Sequence, residues 1–215
     1  MIERTYKVKE VFYTLQGEGG QAGRAAVFLR FTGCNLWSGR EEDRPKAICK
    51  FCDTDFVGTD GENGGRYSAS SLADKVAMLW PSPRSGKPYV VCTGGEPLLQ
   101  LDESLIKALH EKGFEIAVET NGTIPAPASI DWICVSPKAG SEVVQRSGHE
   151  LKLVYPQKEV EAQPELFADL DFEHFYLQPL DGPNTAQNTV ACVEYCLANP
   201  QWKVSLQTHK ILDIP

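Results

Sequence analysis

Residues 32–54, TGCNLWSGREEDRPKAICKFCDT, contain the three cysteines on which the interpretation of this chain depends. Cys34, Cys49 and Cys52 form a C-x14-C-x2-C pattern within one polar stretch. Thiolates are soft ligands that bind zinc or iron–sulfur clusters. A structural zinc site is usually closed by four protein ligands. A cubane cluster bound by three cysteines instead keeps one iron free for a small molecule.

The cysteine pattern alone leaves three interpretations open. No second C-x-x-C occurs, and no histidine lies near the three cysteines to complete a zinc site locally. The alternatives to a cluster are therefore a zinc site with a distant fourth ligand, or ordinary buried thiols. The remaining cysteines are predicted to be small buried hydrophobic residues. They are Cys92, Cys134, Cys192 and Cys196. The last two are four residues apart on a predicted helix, so a second metal site there is a further alternative.

Length and charge limit the class of protein. A chain of 215 residues without repeat or linker predicts one domain, residues 1–215. The net charge of −8, from 21 basic and 29 acidic residues, argues against nucleic acid as a partner. Charges interrupt every N-terminal apolar run, and no run approaches the ~20 apolar residues of a membrane span. Seven unevenly spaced cysteines argue against a secreted disulfide framework. We expect a soluble, cytoplasmic protein without a membrane partner.

Apolar runs rich in β-branched and aromatic residues alternate with helical patterns. Strands are predicted over residues 26–31, 89–92, 115–119, 132–135, 151–155, 175–177 and 203–206. Helices are predicted from Ser70 or Ser71, from Asp102 to Gly113, and over residues 184–197. This alternation predicts parallel strands with right-handed crossovers. We therefore predict an α/β fold, an incomplete TIM-type parallel β/α barrel of about six βα units. Its chemistry should lie where polar residues follow the strands.

Several short motifs carry a resemblance to a known family. The runs FYTLQGEGG, FLRFTGCN, CKFCDT, TGGEP, ETNG, SPK and QPLDG resemble those of the 7-carboxy-7-deazaguanine synthases. These are radical S-adenosylmethionine (SAM) enzymes of queuosine and 7-deazapurine biosynthesis. The resemblance extends from about residue 11 to the C-terminus. TGGEP and the cysteines are shared with many radical SAM proteins, whereas LQGEGG together with GCN and CDT is much more specific.

The resemblance implies that Cys34, Cys49 and Cys52 bind a [4Fe-4S] cluster. The family usually has C-x3-C-x2-C spacing, and here Ser38 occupies the second position. Because a hydroxyl is a poor cluster ligand, we interpret Cys49 as the replacement and residues 39–48 as an insertion in the cluster-binding loop.

The resemblance also implies the other ligand sites. Thr54 is expected to bind Mg²⁺ through its hydroxyl, since magnesium prefers hard oxygen ligands. The residues expected to bind SAM are Phe51, Cys52, Asp53, Gly95, Glu96, Ser136, Pro137, Lys138, Gln178, Pro179, Leu180 and Asp181. Those expected to bind substrate are Leu15, Gln16, Gly17, Arg30, Thr93 and Pro215. Taken alone, these segments read equally well as ordinary turns and surface charges.

The implied reaction converts 6-carboxy-5,6,7,8-tetrahydropterin to 7-carboxy-7-deazaguanine with loss of ammonia. An external donor such as flavodoxin would reduce the cluster, and cleavage of SAM would supply the radical, so no side chain is predicted to be catalytic. A homodimer is expected. Two rival functions are a radical SAM activase that acts on a partner protein, and a zinc-stabilised binding module without catalysis.

The last five residues, ILDIP, have three apolar side chains, Ile211, Leu212 and Ile214. Chain ends are normally frayed unless contacts restrain them. We expect these apolar residues to dock the segment near His209. The resemblance further implies that the carboxylate of Pro215 binds the pterin.

Overall fold

Nine strands in one sheet form the framework of the computed structural model, which describes residues 4–81 and 86–215. The strands are β1 (Tyr6–Leu15), β2 (Ala25–Phe31), β3 (Gly65–Tyr67), β4 (Tyr89–Gly94), β5 (Glu115–Thr120), β6 (Trp132–Val135), β7 (Ser147–Tyr155), β8 (Asp171–Pro179) and β9 (Trp202–Val204). The helices are α1 (Ala69–Leu79), α2 (Glu103–Glu111), α3 (Thr185–Ala198) and α4 (Thr208–Leu212).

The strand order is β3-β1-β2-β4-β5-β6-β7-β8-β9. Strands β2 and β4 to β9 pair in parallel, whereas β1 pairs antiparallel with both β2 and β3. Within residues 4–81 and 86–215, no pairing joins the edge strands β3 and β9, so the barrel is open. Its six parallel pairs confirm the predicted incomplete barrel of about six units. The carboxyl ends of all the parallel strands lie at the same end of the barrel.

Helices cover the outer face of the sheet at only some of the crossovers. Leu72 and Val76 of α1 and Leu105, Ile106 and Leu109 of α2 are buried together against the first strands. Burial of each such side chain contributes about 1.5–3 kcal/mol. Helix α3 covers β8 and β9. In the part of the chain that the structure describes, none of these helices has the length and apolar composition to cross a membrane.

Strands β1 and β3 are absent from the sequence-based prediction. Charged residues interrupt the β1 segment, which hides its period-two pattern. The structure explains the interruption at Lys9, whose side chain is only 9% exposed although it lies within a strand. Its Nζ atom lies 2.8 Å from Asp55 and 2.9 Å from Asp60. The partners that make this burial possible come from a loop about fifty positions away, so a local reading of the sequence does not find them.

Several predicted boundaries also need correction. Strand β7 begins at Ser147 and β8 at Asp171, each four residues earlier than predicted. The N-cap of α1 is Ser68, whose side chain accepts a hydrogen bond from Ser71 N, so the prediction of Ser70 or Ser71 is wrong. The prediction that Asp102 caps α2 is confirmed.

The C-terminal segment forms helix α4, which the prediction missed. Its docking is confirmed, but the predicted apolar cause is wrong, because Ile211 and Leu212 are 71% and 57% exposed. Polar contacts dock the segment instead. The Thr208 backbone N–H and hydroxyl both donate to Gly17 O, each at 2.9 Å. The helix ends at Leu212, and its C-cap residue Asp213 is in the left-handed conformation (φ 52°).

We predict that Asp102→Ala destabilises the fold by roughly 2–4 kcal/mol. The Asp102 carboxylate accepts from Leu105 N at 3.1 Å as the N-cap of α2, and from the hydroxyl of the buried Tyr6 at 2.7 Å. Its loss removes the cap and the acceptor for a buried hydroxyl. Chemical denaturation measures the change. Asp102→Asn is the matched control, since Asn retains both acceptor functions, and equal destabilisation by the two substitutions would contradict this explanation.

Candidate active site

A cleft of about 460 Å³ lies at the carboxyl ends of the parallel strands. It brings together most of the residues that the sequence predicted as a site. Those lining it are Leu15, Gln16, Gly17, Arg30, Cys49, Phe51, Cys52, Asp53, Thr54, Thr93, Ser136, Lys138, Gln178, Pro179, Leu180, Asp181 and Pro215. Most of these residues lie at or just after the carboxyl ends of the parallel strands, which is why residues far apart in the sequence meet here. Leu15, Gln16 and Gly17 come instead from the end of antiparallel β1.

The remaining predicted residues are not among those that line the cleft. They are Cys34, Gly95, Glu96 and Pro137. The carboxylate of Glu96 is fully buried and accepts hydrogen bonds from Leu98 N at 2.9 Å, Thr120 Oγ1 at 2.8 Å and Asn121 N at 2.8 Å. This carboxylate therefore joins the loop after β4 to the loop after β5. A direct contact between Glu96 and SAM stays a prediction.

Glycine is required where the loop after β4 packs against the cysteine loop. A Cβ atom on Gly95 would overlap Gly33 O and the Cys34 side chain. Gly94 lies at φ +148° and approaches the backbone of Phe31 equally closely. The two glycines thus allow the TGGEP turn to contact the backbone that carries Cys34.

The three cysteines of the C-x14-C-x2-C pattern lie on one loop beside the cleft. Cys49 and Cys52 share a hydrogen bond, which lowers the pKa of Cys49 and raises that of Cys52. Burial raises the pKa of Cys34, whose Sγ atom accepts from Leu36 N at 3.4 Å. The positive charge of Lys138 favours the thiolate of Cys49.

The three thiols are not arranged as a preformed site for a single ion. Around one tetrahedral zinc with Zn–S bonds of about 2.3 Å, the sulfur atoms lie roughly 4 Å apart. Among the described residues, the one group of three or more possible ligands whose atoms all lie within 4.8 Å of one another is Glu119, Cys134 and Glu150. The three loop cysteines are therefore not all within that distance of one another, although Cys49 and Cys52 share a hydrogen bond. Thiolates on one loop are the usual ligands of iron–sulfur clusters. The donor set therefore fits an iron–sulfur cluster.

The predicted insertion packs against the cysteine loop. Residues Glu41–Lys46 form a 3-10 helix, in which the guanidinium of Arg44 lies 4.0 Å from the centroid of the Trp37 ring. Arg44 donates to Lys50 O at 2.9 Å and to Cys52 O at 3.1 Å. The Ser38 hydroxyl donates to Asp43 at 2.6 Å. The insertion thereby supports the backbone on both sides of the last cysteine.

On the cluster side of the cleft, the SPK segment after β6 faces the aromatic residue of the cysteine loop. Lys138 Nζ donates to the Ser136 carbonyl at 2.7 Å and to its hydroxyl at 2.6 Å. The same Nζ atom lies 5.9 Å from the centroid of the Phe51 ring. Asp53 and Asp181 also line the cleft, and both pair with Lys210 of α4.

In another part of the cleft lining, the ammonium of Lys152 lies between two carboxylates. Its Nζ atom is 2.7 Å from Glu18 Oε2 and 3.0 Å from Glu119 Oε2, and its side chain is only 4% exposed. Gln16 Nε2 donates to Glu119 Oε1 at 3.1 Å. Gln178 Nε2 donates to Glu18 Oε1 at 3.0 Å, as does the side-chain amide of residue 207. These side chains form a continuous polar network that lines the cleft.

Burial raises the pKa of Glu18 and of Glu119, whereas the nearby ammonium of Lys152 lowers both. Burial opposes ionisation of Glu18, but the attraction and hydrogen bond of Lys152 outweigh it and lower the pKa of Glu18 to about 2. For Glu119, burial dominates and raises the pKa, although Lys152 acts against the shift. The pKa of Lys152 is raised, because the surrounding acidic groups outweigh its burial. Lys152 is therefore a permanent cation in this network.

The predicted set of site residues missed the charged members of this network. Glu18, Glu119, Lys152 and His209 all line the cleft. Glu119 and His209 do follow predicted strands, so their position was a usable signal. Lys152 lies inside β7, where its charge gives no indication that the side chain points into the barrel. Glu10 was missed as well, and it accepts from Arg30 Nε at 2.7 Å.

Comparisons with known proteins agree with this geometry. A family model described as "Radical SAM superfamily" matches residues 45–154. A 7-carboxy-7-deazaguanine synthase of Caulobacter vibrioides is 66% identical over 212 residues, covering 98% of this chain and 100% of the relative. The protein of the same name from Burkholderia multivorans is 59% identical over the same shares of each chain.

The fold of a solved structure agrees as well. The crystal structure of QueE from Escherichia coli matches with a TM-score of 0.71 and 27% sequence identity, and the match covers 94% of this chain and 93% of that one. Identity at the level found for the Caulobacter vibrioides and Burkholderia multivorans relatives, over nearly all of both chains, establishes common family membership. The chain belongs to the 7-carboxy-7-deazaguanine synthase family of the radical SAM superfamily.

Proposed function

We propose that this protein is a 7-carboxy-7-deazaguanine synthase that converts 6-carboxy-5,6,7,8-tetrahydropterin to 7-carboxy-7-deazaguanine with loss of ammonia. The observation that carries the proposal is that one cleft is lined both by Cys49 and Cys52 of the cysteine loop and by the network of Gln16, Glu18, Glu119 and Lys152. A radical generated on one side of such a cleft reaches a substrate bound on the other without crossing solvent.

The [4Fe-4S] cluster would be bound by Cys34, Cys49 and Cys52, and SAM would bind beside it. When bound, the cluster and SAM supply a 5′-deoxyadenosyl radical that removes a hydrogen atom from the substrate. The protein's own contribution is to orient both molecules and exclude water. Phe51, Ser136 and the 178–181 segment are proposed to contact SAM, since all of them line the cleft and Ser136 is bonded to Lys138 beside the Phe51 ring.

The substrate end of the cleft suits a pterin with a carboxylate. Arg30 lies in the cleft, where its guanidinium would pair with the substrate carboxylate. The carboxylates of Glu18 and Glu119 accept N–H donors, which the amino-pyrimidinone edge of a pterin provides. Gly17 packs so closely against the His209 ring that a Cβ atom there would overlap it. Gly17 thus presents backbone rather than a side chain to this part of the cleft.

Three further parts of the proposal concern Mg²⁺, the electron donor and assembly. Thr54 lines the cleft beside Asp53, where its hydroxyl would bind Mg²⁺ together with substrate oxygens. Flavodoxin is the proposed electron donor, and a homodimer the proposed assembly. Of the rival functions, the zinc-stabilised module without catalysis is disfavoured by membership of the radical SAM superfamily.

We predict that the anaerobically reconstituted protein, given SAM, Mg²⁺ and reduced flavodoxin, forms 7-carboxy-7-deazaguanine and ammonia in equal amounts. Mass spectrometry and an ammonia assay measure the two products. Cys49→Ala should abolish both cluster iron and turnover, because it removes one of three thiolates. Ser38→Ala is the matched control and should retain both. Iron content and SAM cleavage that survive in Cys49→Ala would refute the ligand assignment, and absence of product from the wild-type protein with an intact cluster would refute the reaction.

We predict that Thr54→Val slows turnover about tenfold or more, the scale of 1.4 kcal/mol lost from the transition state, while cluster content is unchanged. Valine retains the shape of threonine and lacks the hydroxyl. The decisive measurement is the dependence of the rate on Mg²⁺ concentration. If Mg²⁺ stimulates the wild-type and variant proteins equally, Thr54 is not the magnesium ligand.

A short C-terminal extension is predicted to raise KM for the pterin roughly 10- to 100-fold, the scale of a lost charge-assisted hydrogen bond. The Pro215 O atom accepts from the Thr14 hydroxyl at 2.9 Å, and the residue lines the cleft. An added residue converts the proposed carboxylate ligand into an amide. An N-terminal extension of equal length serves as the control. Unchanged KM and kcat in the C-terminally extended protein would remove Pro215 from the substrate site.

A further inference from the structure

Lys210 of α4 joins two loops on the cluster side of the cleft. Its Nζ atom lies 2.8 Å from Asp53 Oδ2 and 2.5 Å from Asp181 Oδ2. Asp53 follows the last cysteine of the cysteine loop, and Asp181 lies in the loop after β8. All three residues line the cleft. Lys210 therefore fixes the relative positions of two carboxylates that no strand pairing connects directly.

The same helix is anchored on the substrate side. The Thr208 backbone and hydroxyl both donate to Gly17 O, and the ring of His209 packs against Gly17. Ile214 N donates to His209 O at 3.1 Å, which connects the residues after the helix to the same turn. Helix α4 thus contacts the proposed SAM-binding residues Asp53 and Asp181 through Lys210. Through the two preceding residues it contacts Gly17, which is proposed to bind the pterin.

We infer that Lys210 is a positioning residue that couples the binding of SAM to the binding of the pterin. This inference rests on the proposed function. Neighbouring hydroxyl groups, such as those of a ribose, bind well to carboxylates that are already fixed in place. A ligand that engages Asp53 and Asp181 restrains Lys210, and with it the part of α4 that contacts Gly17. Coupling of this kind is reciprocal, so each ligand raises the affinity for the other by the same factor.

Asp181 and Asp53 should respond differently to loss of the Lys210 ammonium. Asp181 also accepts from the Thr185 hydroxyl at 3.0 Å, a contact that lies outside α4. Asp53 is more exposed, with 57% of its side chain accessible against 44% for Asp181. Removal of the ammonium should therefore break the contact between Asp53 of the cysteine loop and α4. The loop after β8 should stay ordered, because the Thr185 hydroxyl still donates to Asp181.

The experiment measures SAM and pterin affinities by calorimetry on reconstituted, oxidised enzyme under anaerobic conditions. Without an electron donor there is no turnover, so both ligands remain intact. In the wild-type protein we expect each ligand to tighten binding of the other by about fivefold or more. In Lys210→Met the factor should fall close to one, and Lys210→Arg should restore most of it. Lys203→Met, which removes an exposed charge on β9, should leave the factor unchanged.

Hydrogen exchange on the protein without cluster or ligands gives a second readout. Amide exchange over residues 208–214 should be faster in Lys210→Met than in Lys203→Met. A Lys210→Met protein with the wild-type coupling factor would overturn the inference, even if its exchange rates or melting temperature change. Failure of the wild-type protein to bind the pterin would instead refute the proposed function, and the affinity for SAM alone and the exchange data would still report on Lys210.

Discussion

A single buried ammonium group, that of Lys152, connects the carboxyl ends of strands from across the sheet. Through Glu18 it reaches the loop after β1, and through Glu119 it reaches β5. Glu18 extends the network to Gln178 of β8 and Gln207 after β9. An open barrel has no closing strand pair to fix its first strands relative to its last. Removal of one partner from a buried ion pair typically costs about 3–5 kcal/mol, so this network restrains the interior where the sheet itself does not.

The arrangement of charge divides the cleft into two regions with different chemistry. On the cluster side, Lys138 is close enough to Cys49 to favour its thiolate form. On the other side, the carboxylates outnumber the ammonium of Lys152, so the walls favour ligands that donate hydrogen bonds. A molecule with a donor edge and a carboxylate fits between this region and Arg30. Under the proposed function, recognition of the substrate and generation of the radical would use different parts of one cavity.

The sequence was sufficient for the barrel and for the composition of most of the cleft, because motif residues follow strands and parallel strands end on one face. It was insufficient where a buried charged side chain is stabilised by partners that are distant in the sequence. Lys9 interrupts the pattern of β1 because its counter-charges are contributed by a distant loop. The sequence likewise suggests that Lys152 is on the surface, because its partners Glu18 and Glu119 are distant in the sequence. Helix α4 is five residues long and is docked by Thr208 and Lys210 rather than by its apolar side chains, so hydrophobic patterning points to the wrong cause.

The contact between Gly17 and Thr208 also has a consequence for biosynthesis of the protein. It joins positions 191 residues apart, and the Thr14–Pro215 hydrogen bond joins positions 201 apart. Chains emerge from the ribosome N-terminus first, and folding proceeds as segments become available. The β1–β2 pair can form early, but this part of the cleft stays open until residues 208–215 have been synthesised. A chain without these residues can therefore acquire the cysteine loop and most of the sheet while it lacks one wall of the cleft. Completion of the active site is in this way a late event in the life of each molecule.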